Sequence, residues 1–257
     1  MSSYENYIAY TTIVRKEVVR FFRIWPQTLL PPVITQSLYF LIFGKFIGTN
    51  LDGIQGISYM SFIIPGLVMM AVINSSFANV VSSFFSSKFQ RSVEELLVSS
   101  TPDWVIVAGY ATAGTVRGLL VGFIVLGVSA FFAHPRMDHM GLLLFFMILT
   151  AVVFSLGGFL NAVFAKKFDD VSIFPTFVLT PLTYLGGVFY SIQSLPPSWQ
   201  NLSHFNPILY MVNGFRFGFY GISDVNILVG SSLLIVLAVV LSLTNLLLLK
   251  RGTGLKT

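Results

Sequence analysis

The sequence predicts an all-α membrane protein with six transmembrane helices. An amphipathic helix precedes the spans, a charged helix lies between spans two and three, and short re-entrant helices follow span five. Three observations carry this reading. Of 257 residues, 55% are hydrophobic and only 10% are charged, with a mean hydropathy of +0.82, whereas a soluble domain carries roughly 25% charged residues. Uncharged runs recur at lengths that suit a bilayer core of about 30 Å, which needs roughly 20 helical residues. Lysine and arginine fall unevenly between the intervening segments, as topology requires.

The chain opens with an amphipathic segment, residues 4–24. Tyr7, Tyr10, Val14, Val18 and Phe21 recur at spacings of three or four, while Lys16, Arg20 and Arg23 line another face. No apolar core followed by a small-residue cleavage site is present, so a signal peptide is not expected. Such a helix either lies in the membrane interface with its cations near anionic headgroups or extends the first span into water.

Pro26, Pro31 and Pro32 turn the chain into the first span, 27–47. A short loop with Lys45 and Asp52 leads to the second span, 59–83, which carries Asn74, Ser75, Ser76, Asn79 and Ser82. Polar side chains in lipid must be paired or face water. They are therefore helix-to-helix ties or the lining of a pathway.

Residues 84–102 form a charged island between two apolar runs. At 3.6 residues per turn, Phe85, Phe89, Val93 and Leu96 share one face, while Lys88, Arg91 and Glu95 share another, with Glu94 beside them. Pro102 ends the helix, because proline lacks an amide and disfavours helix in the residue before it. Spacing alone leaves a solvated loop and a docking surface equally open.

The third span, 104–133, has Gly114, Gly118 and Gly122 at intervals of four, a spacing that lets another backbone approach closely. Arg117 lies inside the same run with no acidic residue in any span to pair with it, so it either snorkels to the interface or takes part in an ion pair or substrate contact. The fourth span, 140–164, ends in the turn Lys166-Lys167-Phe168-Asp169-Asp170. The fifth, 171–190, is followed by 191–222, too apolar for an ordinary loop and too rich in proline for a span. Non-helical backbone at membrane depth must be buried in protein or line a cavity, so this stretch is expected to be a re-entrant pair of short helices containing Pro207, Tyr210 and Arg216. The last span is 225–249.

With the N-terminus inside, the inner segments hold eleven lysines and arginines, including Lys256, against Lys45, Arg136 and Arg216 outside. Both termini and the charged island are then cytoplasmic. The net charge of +5 is thus a topology signal and does not point to nucleic acid. The absence of cysteine excludes disulfides and thiolate metal sites. His134, His139 and His204 are too few for a metal site. No catalytic, cofactor-binding or metal-ligating residue is expected.

The run Lys88-Phe89-Gln90-Arg91-Ser92-Val93-Glu94-Glu95-Leu96-Leu97 resembles the cytoplasmic helix of ABC-2 type transporter permeases. Leu179-Thr180-Pro181-Leu182-Thr183-Tyr184-Leu185-Gly186-Gly187-Val188-Phe189-Tyr190, with the later Asn206-Pro207, Tyr210 and Arg216, resembles the C-terminal signature of that family. The resemblance covers nearly the whole chain. It implies an exporter of the bacterial inner membrane in which two six-span subunits associate and a separate ATPase subunit binds beneath each. Residues 84–102 would then be the coupling helix, its apolar face set in a groove of the ATPase. ATP and Mg would be held by that partner, since this chain has no phosphate-binding loop and its one Gly-Lys pair is Gly44-Lys45. The substrate is not supplied by the resemblance. An ion- or proton-driven carrier, or a non-transporting membrane assembly protein, are the alternatives.

Overall fold

A computed structural model describes residues 2–48, 53–54, 56–133, 136–252 and 254. Asp52, His134 and Lys256 lie outside the described residues. The described chain is helical, with a single isolated bridge between Ile54 and Ile57.

Helix α1, Ser3–Arg23, is started by a capping box: the Ser2 hydroxyl accepts from the Glu5 amide and the Glu5 carboxylate accepts from the Ser2 amide. These bonds satisfy two donors that a helix start would otherwise leave orphaned. Ile13, Glu17 and Phe21 form its buried stripe. The chain re-enters helix at α2, Trp25–Thr28, and α3, Leu30–Tyr39, which runs on as a π-helix over Phe40–Ile47. Together Trp25–Ile47 is long and apolar enough to cross a membrane, and little of it is covered by the rest of the chain.

Helix α4, Tyr59–Phe89, is the hub. It is capped by Ser58, contains Pro65, and is buried along most of its 31 residues. At 1.5 Å per residue it is about 46 Å long, more than a bilayer core requires. Residues 84–89, expected to start a separate helix, are instead its last turns. The chain then breaks at Arg91, which has φ 60, and a short helix α5, Ser92–Val98, follows. The expectation of one helix over 84–102 is thus corrected: a left-handed residue cannot continue a right-handed helix, so the two halves point in different directions.

Helices α6, Asp103–Ser129, and α7, Met140–Phe164, pack on α4 to form the core, and α1 lies across α6. The glycine stripe of α6 faces this seam. A Cβ on Gly118 would meet the Val72 carbonyl oxygen at 3.2 Å and overlap the Ser76 hydroxyl, and one on Gly114 would lie 2.6 Å from Ser155 Oγ. Gly122 is likewise closed in by Val72 and Met147.

The segment expected as span 171–190 differs most from its reading. It is α8, Phe168–Phe174, then a π-helix Pro175–Leu179, then α9, Thr180–Tyr184. Pro175 and Pro181 cannot donate to the helical ladder, and the run ends at Tyr184, ahead of Gly187 with φ 73. Among the described residues five helices are long and apolar enough to cross a membrane, and this run is not one of them. Two short helices follow, α10, Pro197–Ser203, and α11, Pro207–Tyr220, the second buried against α4, α7 and α12. Helix α12, Ile227–Arg251, closes the fold and ends at Gly252.

Candidate functional site

Three sets of polar and aromatic residues stand out: the Phe89 end of α4, the seam between α1 and α4, and the turn under α11.

At the Phe89 end, the residues expected to share one docking face are divided between inside and outside. Phe85 and Val93 are each 2% exposed, and Leu96 is half-buried. Lys88 is buried as well: its ammonium donates to the carbonyls of Val163 and Ala165, both at 2.7 Å. A cation there satisfies carbonyls at the C-terminal end of α7 that lack helical donors, where the helix dipole also favours positive charge. Phe85, Lys88 and Val93 are thus removed from the expected surface: Phe85 and Lys88 lie on the buried side of the last turns of α4, and Val93 is turned inward after the break at Arg91. Phe89, Arg91, Glu94 and Glu95 remain exposed.

Phe168 completes that surface, and sequence reasoning missed it. The Phe168 ring lies 4.8 Å from Phe89 and 5.0 Å from Phe85, edge to face. In the sequence Phe168 is masked by its neighbours Lys166, Lys167, Asp169 and Asp170, which mark a turn. That turn is organised by Asp170, whose carboxylate accepts from the amides of Lys166 and Lys167 at 2.8 and 3.0 Å. Those bonds hold the carboxyl below its usual range. Beside the platform, a cleft of about 470 Å³ opens between α1 and α5, with Lys16, Glu95, Leu96 and Tyr110 among its walls.

At the α1–α4 seam, Glu17 is 1% exposed. Its carboxylate accepts from Ser83 Oγ and from Arg20 Nε, the latter at 3.0 Å. Arg20 also donates to the Asn79 side-chain oxygen at 2.9 Å. Arg20 therefore leaves the cationic face expected to meet headgroups, while Lys16 and Arg23 stay exposed. Asn79 and Ser83 tie helices together, whereas Asn74 donates within its own helix to Met70.

Arg117 does not snorkel. It is 9% exposed and donates to the Thr28 carbonyl at 3.2 Å. The reason lies four residues past Thr28. Pro32 has no amide, so the Thr28 carbonyl loses its helical donor, and Arg117 supplies one from another helix.

Under α11, Arg216 is buried. Its guanidinium donates to the Gly187 carbonyl at 2.7 Å and sits 3.8 Å from the Phe62 ring centroid. Asn213 Oδ1 accepts from the Asp224 amide at 3.0 Å, and the Asp224 carboxylate accepts from Ser191 Oγ at 2.8 Å. Pro207 opens α11 behind the Asn206 cap, and Tyr210 donates to the His204 carbonyl at 3.0 Å. Asn213, Asp224 and Glu17 were not singled out by sequence, since nothing in their spacing marks an i-to-distant-j pair.

The family model described as ABC-2 type transporter matches residues 8–220. The chain is 54% identical over 251 residues to the inner membrane transport permease YadH of Escherichia coli (strain K12), covering 98% of each chain. It is 23% identical over 212 residues to nodulation protein J of Neorhizobium galegae, with 82% of this chain and 80% of that protein covered. Nodulation protein J of Rhizobium leguminosarum bv. viciae is also 23% identical, over 87% of this chain and 85% of its own length.

Proposed function

The chain belongs to the ABC-2 type transporter family, and on that premise we propose that it is the membrane permease subunit of an exporter driven by a separate ATPase chain. The observation that carries this reading is the platform at the Phe89 end of α4. There Phe89 and Phe168 expose apolar surface beside Glu94, Glu95 and Arg91. Exposed aromatics ringed by charge suit a buried anchor and a polar rim. The platform continues α4 directly, so a push on Phe89 is delivered to the hub of the bundle.

In this reading 171–184 is the sixth membrane crossing, bent and short. At 1.5 Å per residue it spans about 21 Å. Helices α10 and α11 re-enter at the outer leaflet, and both termini are cytoplasmic, in the bacterial inner membrane, as the basic residues require. Two copies form the translocation path. The sparsely covered Trp25–Ile47 and Ile227–Arg251 helices supply surface for lipid or a second copy. ATP and Mg belong to two ATPase subunits, one beneath each copy. The export direction follows from the family resemblance.

Glu17 is the group an ion-driven carrier would use, being a buried carboxylate among apolar helices. Its bonds to Arg20 and Ser83 favour a structural tie instead. Transport by vesicles separates the two readings. Dependence on ATP and on the ATPase supports the permease; transport driven by a proton gradient alone overturns it. Co-purification of an ATPase chain that is lost in Phe89→Ala tests the docking platform directly.

A further inference from the structure

Between the Ser3 end of α1 and the Asp103 end of α6 lies a cavity of about 360 Å³, walled by Ser3, Asn6, Tyr7, Tyr10 and Trp104. Trp104 is also the rim of a second groove, of about 410 Å³, which runs on between α6, α7 and α12. Ala108, Ala111, Val152, Leu156 and Leu246 line that groove. Trp104 belongs to both walls, and Tyr10 on the wall of the first is hydrogen-bonded to Thr112 on the wall of the second at 2.9 Å, a tertiary bond between α1 and α6. Polarity falls from one cavity to the other: hydroxyls, an amide and aromatic rings at the α1 end give way along the spans to mostly aliphatic side chains, with Thr112, Thr115 and Ser242 among them.

We propose that the two cavities form one site for a single membrane phospholipid carrying an ammonium headgroup, with an acyl chain in the α6–α7–α12 groove and the headgroup between α1 and Trp104. The headgroup class follows from the walls. Among the described residues no lysine, arginine, aspartate or glutamate lines either cavity, so an anionic headgroup finds no counter-charge there. Aromatic faces attract a cation, and Tyr7, Tyr10 and Trp104 supply three. Asn6 adds a side-chain amide to the same wall, whose oxygen can accept from an ammonium. The aliphatic walls gain dispersion contacts only when atoms fill the groove, and acyl chains are the apolar groups at hand in a bilayer. Lipid here bridges α1 to the spans at a point where α1 otherwise exposes Tyr7 and Ile8. The proposal rests on the membrane placement of the permease reading and not on its ATPase.

The experiment is native mass spectrometry of the full chain extracted from vesicles of equal phosphatidylethanolamine and phosphatidylglycerol. The wild type is expected to retain one phosphatidylethanolamine per chain, favoured about fivefold, the size of one cation–π contact. Ala111→Phe and Ser242→Phe fill the groove from two different helices and should lose the lipid. Asn6→Ala and Trp104→Ala, at the rim, should bring the two lipids to parity, and they keep the test open should the filled variants fail to fold. Equal retention of both lipids by the wild type overturns the headgroup assignment. Undiminished retention in a folded groove-filled variant overturns the site. So does a change in dimer fraction without lipid loss, which would give the groove to a second copy. Because no nucleotide or ATPase enters, failure here is distinct from failure of the coupling reading.

Discussion

Arg216 donates to the carbonyl of Gly187 at 2.7 Å, from one turn of α11 to the chain just beyond α9, while its guanidinium covers the Phe62 ring of α4. One side chain thus joins three elements that are far apart in sequence. The carbonyl it reaches belongs to a glycine with φ 73, outside any helical ladder, and would be orphaned without it. Arg216→Met keeps bulk and removes every donor. It should lower stability by about 2 kcal/mol, the cost of losing a charged hydrogen bond to a buried carbonyl. Arg216→Lys retains the charge but not the planar fork and should fall between. Thermal unfolding of the purified protein followed by tryptophan fluorescence checks the order; equal stability of all three would deny the contact a structural role.

Phe89 and Phe85 lie one turn apart and should answer differently to the same change. Phe89→Ala removes an exposed anchor, and affinity for the ATPase should fall some thirtyfold, about 2 kcal/mol. Phe85→Ala opens the core and should cost about 3 kcal/mol of stability. Glu95→Lys should weaken binding less than Phe89→Ala, and its effect should shrink as salt rises, because exposed ion pairs are worth about 0–1 kcal/mol and are screened. Pull-down of the ATPase at two salt concentrations, beside melting curves, separates these effects.

On α6, Gly118→Leu should prevent assembly of the bundle, since even a Cβ would lie 3.2 Å from the Val72 carbonyl and overlap Ser76. Leu120→Ala, two positions on and half-buried, should cost less. Yield of monodisperse protein after detergent extraction is the measurement, and similar yields would leave the glycine without a packing role.

The Phe168 turn should respond to acid. The amides of Lys166 and Lys167 hold the Asp170 carboxyl below its ordinary value, so it binds its proton less readily folded than unfolded. Its contribution is therefore complete above the unfolded pKa, about 3.9, and is lost as pH falls through the lower folded value. Asp170→Asn should reproduce the acid effect at neutral pH. Faster hydrogen exchange at the Lys166 and Lys167 amides, with weaker ATPase binding through the displaced Phe168, is the expected result. Unchanged exchange would show that the turn holds without the carboxylate.

The chain contains no cysteine, so single cysteines need no altered background. Cysteines at Ser92 and Ser198 should react with impermeant reagents from opposite sides of the membrane. Reaction of both from outside would end the six-span arrangement and its cytoplasmic platform.

Much of the α1 to α7 order was legible because membrane helices are written in local terms. Uncharged runs near 59–83 and 140–164 coincide with α4 and α7, and Gly114, Gly118 and Gly122 mark the face of α6 that meets a neighbour. The platform was half legible. Glu94 and Glu95 stand out as charges in an apolar chain, but the break at Arg91 leaves no mark in side-chain periodicity, so Phe85 and Val93 were placed beside Phe89 on one face. Phe168 was hidden by the charges around it.

The sequence by itself determined the helical class and five of the apolar spans, because burial in lipid acts through composition and spacing along one chain. Tertiary structure alone decided the partners of the buried charges. Glu17 meets Ser83, Arg117 reaches Thr28, and Arg216 reaches Gly187. Each of these polar groups is costly in an apolar interior until a specific donor or acceptor arrives, and which one arrives depends on how helices cross. That crossing is set by ridges, glycines and proline breaks on several helices at once, and no window along a single helix contains it.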